Sequence, residues 1–424
     1  MPPAAYYLTA AQAADALGIT RATLYAYTSR GQLRSEPVAG RPRERRYYRE
    51  DVERLKARKE ARHDPSRAAA QGLHWGGPVL ESGITLIHNG RPYYRGRDAV
   101  KLASTASAEQ VAALLWAAED AEQPRLFAQP CPLTRRQLAK LRTCATAPLT
   151  LIQAALPIAA AVDLASYDLR PAAVRQTGAR IIRLLTTIVA GHEANAPVHG
   201  VLRAAWTPRN KAAGDVIRSA LVLCADHELN VSAFTARCAA SAGASPYDIV
   251  SAAMATLKGY KHGGAAEQVL ALVEETDTPK SARSLVANRL RHGQGMPGFG
   301  HPLYPAGDPR AELLIRLAEA SGNESALRPF RHLFRAGSEL LHDAPNLDSG
   351  LAAVTRAYKL PEQAPLLLFT LGRTIGWIAH AIEEYASGQL IRPRARYTGP
   401  PPDSPAPRGD HPARAAKPDR LRAE

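Results

Sequence analysis

From about residue 100 onward, apolar positions recur at intervals of three and four, the period of a helix rather than the alternation of a strand. This pattern predicts helices over 108–118, 134–147, 152–165, 171–190, 215–224, 232–242 and 265–275. One strand pair interrupts it: 83–87 and 91–96 flank Asn89-Gly90, a hairpin turn dipeptide. There is no internal repeat and no alternation of strands with helices, so the body is expected to be all-α apart from that hairpin.

The first 70 residues follow a different pattern. Thr9 with Gln12 forms a capping box, and that helix should end at Gly18. Thr20 caps a second helix over 21–29, stopped near Gly31, with Leu24 facing inward. Two short helices joined by a Gly-containing turn match helix-turn-helix geometry. Residues 33–38 and 43–48 then read as a two-stranded wing with Gly40-Arg41-Pro42 at its tip, and a third helix should run over 49–62. Fourteen Lys or Arg stand against eight Asp or Glu in residues 1–70. On DNA, Arg21, Thr23 and Tyr25 would project from the second helix, and Arg41, Arg43 and Arg45 of the wing would meet phosphates. The order helix, Gly, helix, Arg-rich wing, then Tyr47, Asp51, Val52 and Leu55 resembles the MerR-type winged helix-turn-helix domain. That resemblance implies DNA as a partner; a helical docking module with a solvated basic face is the alternative.

Composition changes this picture little. A chain of 424 residues implies two or three domains, and low aromatic content (6%) favours helix. A net charge of +15 points to an anionic partner without naming it. The four cysteines, Cys131, Cys144, Cys224 and Cys238, lack metal-ligand spacing and read as buried free thiols. No signal peptide opens the sequence, and the apolar run 149–164 is too short for a membrane span, so a cytoplasmic location is expected.

Candidate chemistry lies in the body. His262 stands beside Gly263-Gly264 just before a helix, where the positive end of the dipole disfavours imidazolium. A neutral imidazole can donate a hydrogen bond to a developing oxyanion, and the glycines would let a substrate approach the backbone closely. A Gly-flanked turn at 298–301 presents His301. Asp308 and Pro309 start a helix carrying Arg310, and Asp348 follows a Pro345-Asn346 bend. Asp226-His227-Glu228 has no second ligand at i+3 or i+4, which speaks against zinc; a carboxylate-binding His227 held by its neighbouring acids fits better.

Together the 226–230, 257–267, 298–310, 345–348, 372–380 and 390–394 stretches, with the early hairpin, resemble the citrate synthase family over roughly 75–400. The resemblance implies an all-α fold with a large domain (75–263 and 351–399) and a small domain (264–350) that closes over substrate. Ahead of it would stand the helix-turn-helix domain (1–62) and a linker (63–74), and behind it a disordered tail (400–424). It implies condensation of acetyl-CoA with oxaloacetate to citrate and CoA, with no cofactor beyond the acetyl-CoA substrate. Asp348 would be the base, His262 the donor to the thioester oxygen, and His301 the group that polarises the ketone. Arg310, Arg373, Arg392 and His227 would bind oxaloacetate, with Arg392 reaching the site of a second subunit, hence a homodimer. At positions 302 and 305, where the family usually carries Arg and Lys, this chain has proline, and Ser349 replaces a common aromatic. Two other functions remain open: a 2-methylcitrate synthase using propionyl-CoA, and a DNA-binding regulator whose body senses a metabolite.

Overall fold

The structure, a computed structural model, describes residues 7–38, 41–49, 51–53, 55–56, 80–119, 122–395 and 397–401. The linker expected at 63–74, the end of the third helix and the tail from 402 lie outside these residues, as do the side chains of Arg41 and Arg43.

The N-terminal unit forms as its caps dictate. Thr9 and Gln12 make the full capping box of the Ala10–Leu17 helix, which ends on Gly18 in the left-handed region. Thr20 caps the Arg21–Ser29 helix through the backbone N–H of Thr23. The wing pairs Ser35–Val38 with Arg41–Tyr48, and a strand the periodicity did not show, Tyr7–Thr9, adds to its other side. Three residues are too few to display an alternation. Leu8, Ala13, Ala14, Leu17, Leu24, Leu33, Tyr47 and Val52 form this unit's own core.

In the body the hairpin is Thr85–His88 with Arg91–Tyr94, extended by Arg97–Asp98. Everything after it is helical, as expected. The 171–190 prediction coincides with the observed Pro171–Ala190, and most others differ by only a few residues at their ends. The body's core is continuous. At its centre lies the 24-residue Ala364–Ser387 helix, packed against Pro171–Ala190, Ala213–Cys224, Val231–Ser241 and Pro246–Leu257. Among the described residues it is the one helix long and apolar enough to cross a bilayer, and that stretch is wholly buried in the core.

Glycines set how closely this helix approaches its neighbour. A Cβ on Gly372 would sit 2.6 Å from the Leu221 carbonyl oxygen, and one on Gly376 would sit 2.4 Å from that of Ala225. Gly376 N–H donates to the same Ala225 oxygen at 3.0 Å. A Gly376→Ala variant is therefore expected to lose about 1–3 kcal/mol of stability, read as a lowered Tm, because backbone on both sides must shift.

The cysteines are free, but only Cys224 is buried; Cys131 and Cys238 are half-buried and Cys144 is exposed. Cys144 ends its helix on the solvent side, which apolar neighbours in sequence did not reveal.

Candidate functional site

The turn after the Ala213–Cys224 helix carries His227, which is buried. Its Nε2 lies 2.8 Å from the Tyr304 hydroxyl. Burial holds its pKa well below the usual value, helped by the nearby cations of Arg310 and Arg373. The neighbouring acids do not hold His227, contrary to the sequence expectation. Asp226 instead accepts from the Thr85 hydroxyl at 2.6 Å and lies 3.2 Å from His380 Nε2. Glu228 accepts from the Ile87 N–H at 3.2 Å. Both acids brace the hairpin, because the loop's backbone turns them away from the imidazole.

Asn230 caps the Val231–Ser241 helix, its Oδ1 receiving the backbone N–H of Ser232 and Ala233 at 3.1 and 3.2 Å. The cap places the Ser232 hydroxyl 2.9 Å from His262 Nε2 and within reach of Trp377 Nε1, at 3.2 Å. His262 sits in the turn between the Pro246–Leu257 and Ala265–Val273 helices. Its pKa is lowered to about 4, by burial first and the Arg373 charge second. The neutral state expected from a helix dipole is thus present for another reason. Gly263 has a structural role of its own: a Cβ there would lie 2.7 Å from the Leu257 carbonyl oxygen, so glycine is needed for the tight return of the chain.

His301 brings a third neutral imidazole, its pKa lowered to about 4 by burial and by Arg310. Its ring centre is 4.9 Å from that of His227 and 5.0 Å from that of Tyr304. Leu303 N–H donates to its Nδ1 at 3.2 Å, which leaves the ring proton on Nε2.

Asp308 caps the Pro309–Glu319 helix and holds the buried Arg310 in a two-point fork at 2.9 and 2.8 Å. The same carboxylate accepts the Leu347 N–H at 3.1 Å, tying that helix to the start of Leu347–Ala357. Asp348 stands in the first turn there. Its Oδ1 is shut off from solvent and has no hydrogen-bond partner. Burial raises its pKa to about 7 despite the cations of Arg310 and Arg373. Arg373 is buried on the central helix, its Nε donating to the Cys224 carbonyl at 2.8 Å. Among the described residues no carboxylate lies within ion-pair distance of it, and the buried Asp226 offsets its charge only at longer range.

Most of the residues singled out from sequence thus cluster: His227, His301 and Arg310 with Tyr304 between them, and His262, Asp348 and Arg373 linked by shared electrostatics. Arg392 does not join them; it is exposed beyond the end of the central helix. Sequence reading missed the supporting roles of Ser232 and Tyr304. The Asn-x-Ser cap signature was available for the first, and nothing periodic marks the second.

The N-terminal surface is partly braced. Arg21 and Tyr25 are exposed, Tyr25 by 52%. The Thr23 hydroxyl is 2.9 Å from that of Thr20. Arg45 donates to the Ser35 hydroxyl at 2.8 Å, Arg46 to Glu36 at 2.9 Å, and Arg34 to Asp51 at 2.9 Å. These three arginines hold the wing together.

Comparison with known proteins decides the family. The family model described as "Citrate synthase, C-terminal domain" matches residues 72–394, about three quarters of the chain. The chain belongs to the citrate synthase family. A helix-turn-helix domain model matches residues 7–60. Over 334 residues the chain is 31% identical to a citrate synthase of Mycolicibacterium smegmatis, covering 73% of this chain and 89% of that protein. It is 32% identical over 337 residues to a 2-methylcitrate synthase of Mycobacterium tuberculosis, covering 72% and 84%. The match to other curated citrate synthases, such as one from Bacillus subtilis, spans about half their length (51%). A crystal structure of citrate synthase from Thermotoga maritima superposes with a TM-score of 0.68 at 25% identity, over 78% of this chain and 96% of that one. A citrate synthase scaffold therefore carries the cluster, and its three neutral histidines, raised carboxylate and two buried arginines occur within that fold.

Proposed function

We propose that the chain condenses acetyl-CoA with oxaloacetate and water to citrate and CoA. The observation that carries this reading is Asp348: an unpartnered carboxylate oxygen with a pKa of about 7, among three neutral histidines and two buried arginines. Asp348 removes a proton from the thioester methyl group, and the enol oxygen takes a hydrogen bond from His262. The nucleophilic carbon then attacks the ketone carbon of oxaloacetate, whose oxygen is polarised by His301 Nε2–H and receives a proton there. Hydrolysis of the resulting thioester releases CoA. Arg310 and Arg373 supply charge for the two substrate carboxylates, with His227 beside them.

Ser232 helps to hold the His262 ring in place. The Ser232 hydroxyl donates to Asn230 Oδ1 at 2.8 Å, receives Trp377 Nε1–H at 3.2 Å and lies 2.9 Å from His262 Nε2. A His262→Ala variant is expected to lose about 10²–10³-fold in kcat while still binding oxaloacetate. Isothermal titration with oxaloacetate checks the division of labour, and loss of binding would show it to be wrong.

The reading extends to a homodimer in the cytoplasm, closing residues 264–350 over bound oxaloacetate. Ile158, Val162, Leu164 and Tyr167 form an exposed apolar group near one helix end, which a second subunit would cover. The exposed Arg392 is free to enter the partner's site in such a dimer. Free cysteines suit a reducing compartment. The assay is thiol release from acetyl-CoA with oxaloacetate present; none above background would overturn the proposal.

The similarity to a 2-methylcitrate synthase supports a second substrate, propionyl-CoA. A kcat/KM for propionyl-CoA above that for acetyl-CoA would move the function there. The helix-turn-helix unit supports DNA as a further partner, through Arg21, Thr23, Tyr25 and the wing residues Arg41, Arg43 and Arg45. Because Arg45 is engaged with Ser35, the exposed helix face is the stronger half of this surface. Unchanged mobility of upstream DNA at low salt would remove that partner.

A further inference from the structure

The Tyr304 hydroxyl is carried among the side chains of His227, His301 and Arg310, and no step of the proposed reaction uses it. It is buried, with its ring 5.0 Å from the Arg310 guanidinium and edge-on to His227. Its oxygen is 2.8 Å from His227 Nε2. We infer that Tyr304 is a positioning residue that donates its hydroxyl proton to His227 Nε2 and so holds the His227 proton on Nδ1, as a donor for the oxaloacetate carboxylate.

The protonation states support the direction of that bond. Burial raises the Tyr304 pKa to about 12, so the hydroxyl keeps its proton. His227 is neutral, with one donor and one acceptor nitrogen. If Nε2 carried the proton, the ring would turn a lone pair from Nδ1 toward an anionic substrate. With the phenol donating, that remaining polar edge is an N–H instead. The turn 301–304 then sets two histidines at once: Leu303 N–H fixes the His301 proton on Nε2, and Tyr304 fixes the His227 proton on Nδ1.

The inference rests on His227 being an oxaloacetate ligand, so its test has two readouts. Tyr304→Phe keeps the ring that packs on Arg310 and His301 and removes only the hydroxyl. In the full chain its oxaloacetate KM is expected to rise about tenfold, with kcat within about threefold of the parent and the acetyl-CoA KM unchanged. Imidazole nitrogen NMR of the ligand-free protein, selectively labelled at histidine, should show His227 protonated at Nδ1 in the parent and redistributed in the variant. An unchanged oxaloacetate KM, a collapse of kcat at constant KM, or an Nε2-protonated His227 in the parent would each overturn the inference. Absence of condensing activity in the parent would instead defeat the functional reading, and the NMR comparison would still judge the Tyr304–His227 bond. A Tyr304→Phe protein that did not fold would leave the parent's tautomer as the deciding measurement.

Discussion

Replacing Asp348 with asparagine is expected to lower kcat by about 10³-fold or more, within the range that a positioned general base contributes. In the parent, log kcat/KM should fall with unit slope as pH drops below about 7, the value to which burial raises this carboxyl. His262 and His301, held near 4, stay neutral through that range and add no acid limb above it. Stability moves the other way. The carboxyl's ordinary value is 3.8, so between about 4 and about 7 the unfolded chain ionises it while the folded chain keeps it protonated. The term therefore favours folding fully below about 4 and is lost as pH rises toward 7. The asparagine variant removes this loss and should melt higher than the parent at pH 8, with the advantage shrinking toward pH 4. A thermal-melt series across that range checks the sign; a variant less stable than the parent at pH 8 would contradict the buried, unpartnered carboxylate.

Arg373→Met is expected to weaken oxaloacetate binding about 10²–10³-fold, the scale of truncating one partner of a buried charge pair. The same change should leave the ligand-free protein as stable as the parent or more so. A guanidinium buried at 1% exposure without an ion pair costs desolvation energy that the more distant Asp226 offsets in part and an anionic ligand would offset further. Methionine fills similar space beside Phe369 without that cost. Calorimetric titration with oxaloacetate and a melt without it give both numbers. Undiminished affinity would place the dianion elsewhere, whereas a large drop in ligand-free stability would mean that the bond to the Cys224 carbonyl matters more to folding than the burial of charge. Arg310 is the natural contrast, because Asp308 already balances it and its removal would strand a buried carboxylate.

The sequence made the helices legible because each carries its own period and its own stop signals. Thr9, Thr20, Thr134, Asn230 and Asp308 all cap where such residues should. His262, His301 and Asp348 were visible as glycine- or proline-flanked positions at helix starts. What local reading could not show was set by contacts between distant residues. Ser232 and His262 lie 30 residues apart, and His227 and Tyr304 lie 77 apart. The cause of the low His262 pKa lies with its burial and Arg373, both products of tertiary packing, while the dipole argument looked only at the next helix. The acids beside His227 misled for a related reason: neighbours in sequence need not share a face once the loop turns toward the hairpin.

The central Ala364–Ser387 helix has a consequence for how the molecule is made. It is nearly the last element in sequence, yet every earlier helix of the inner layer packs against it and it carries Arg373. A chain emerging from the ribosome would hold an open, apolar groove for most of its synthesis. Filling that groove is a long-range event of the kind that folds slowly and exposes sticky surface meanwhile. Core completion and delivery of Arg373, the cation we propose for oxaloacetate, would then coincide, so a nascent or truncated body is expected to be aggregation-prone and to lack the proposed condensing activity together.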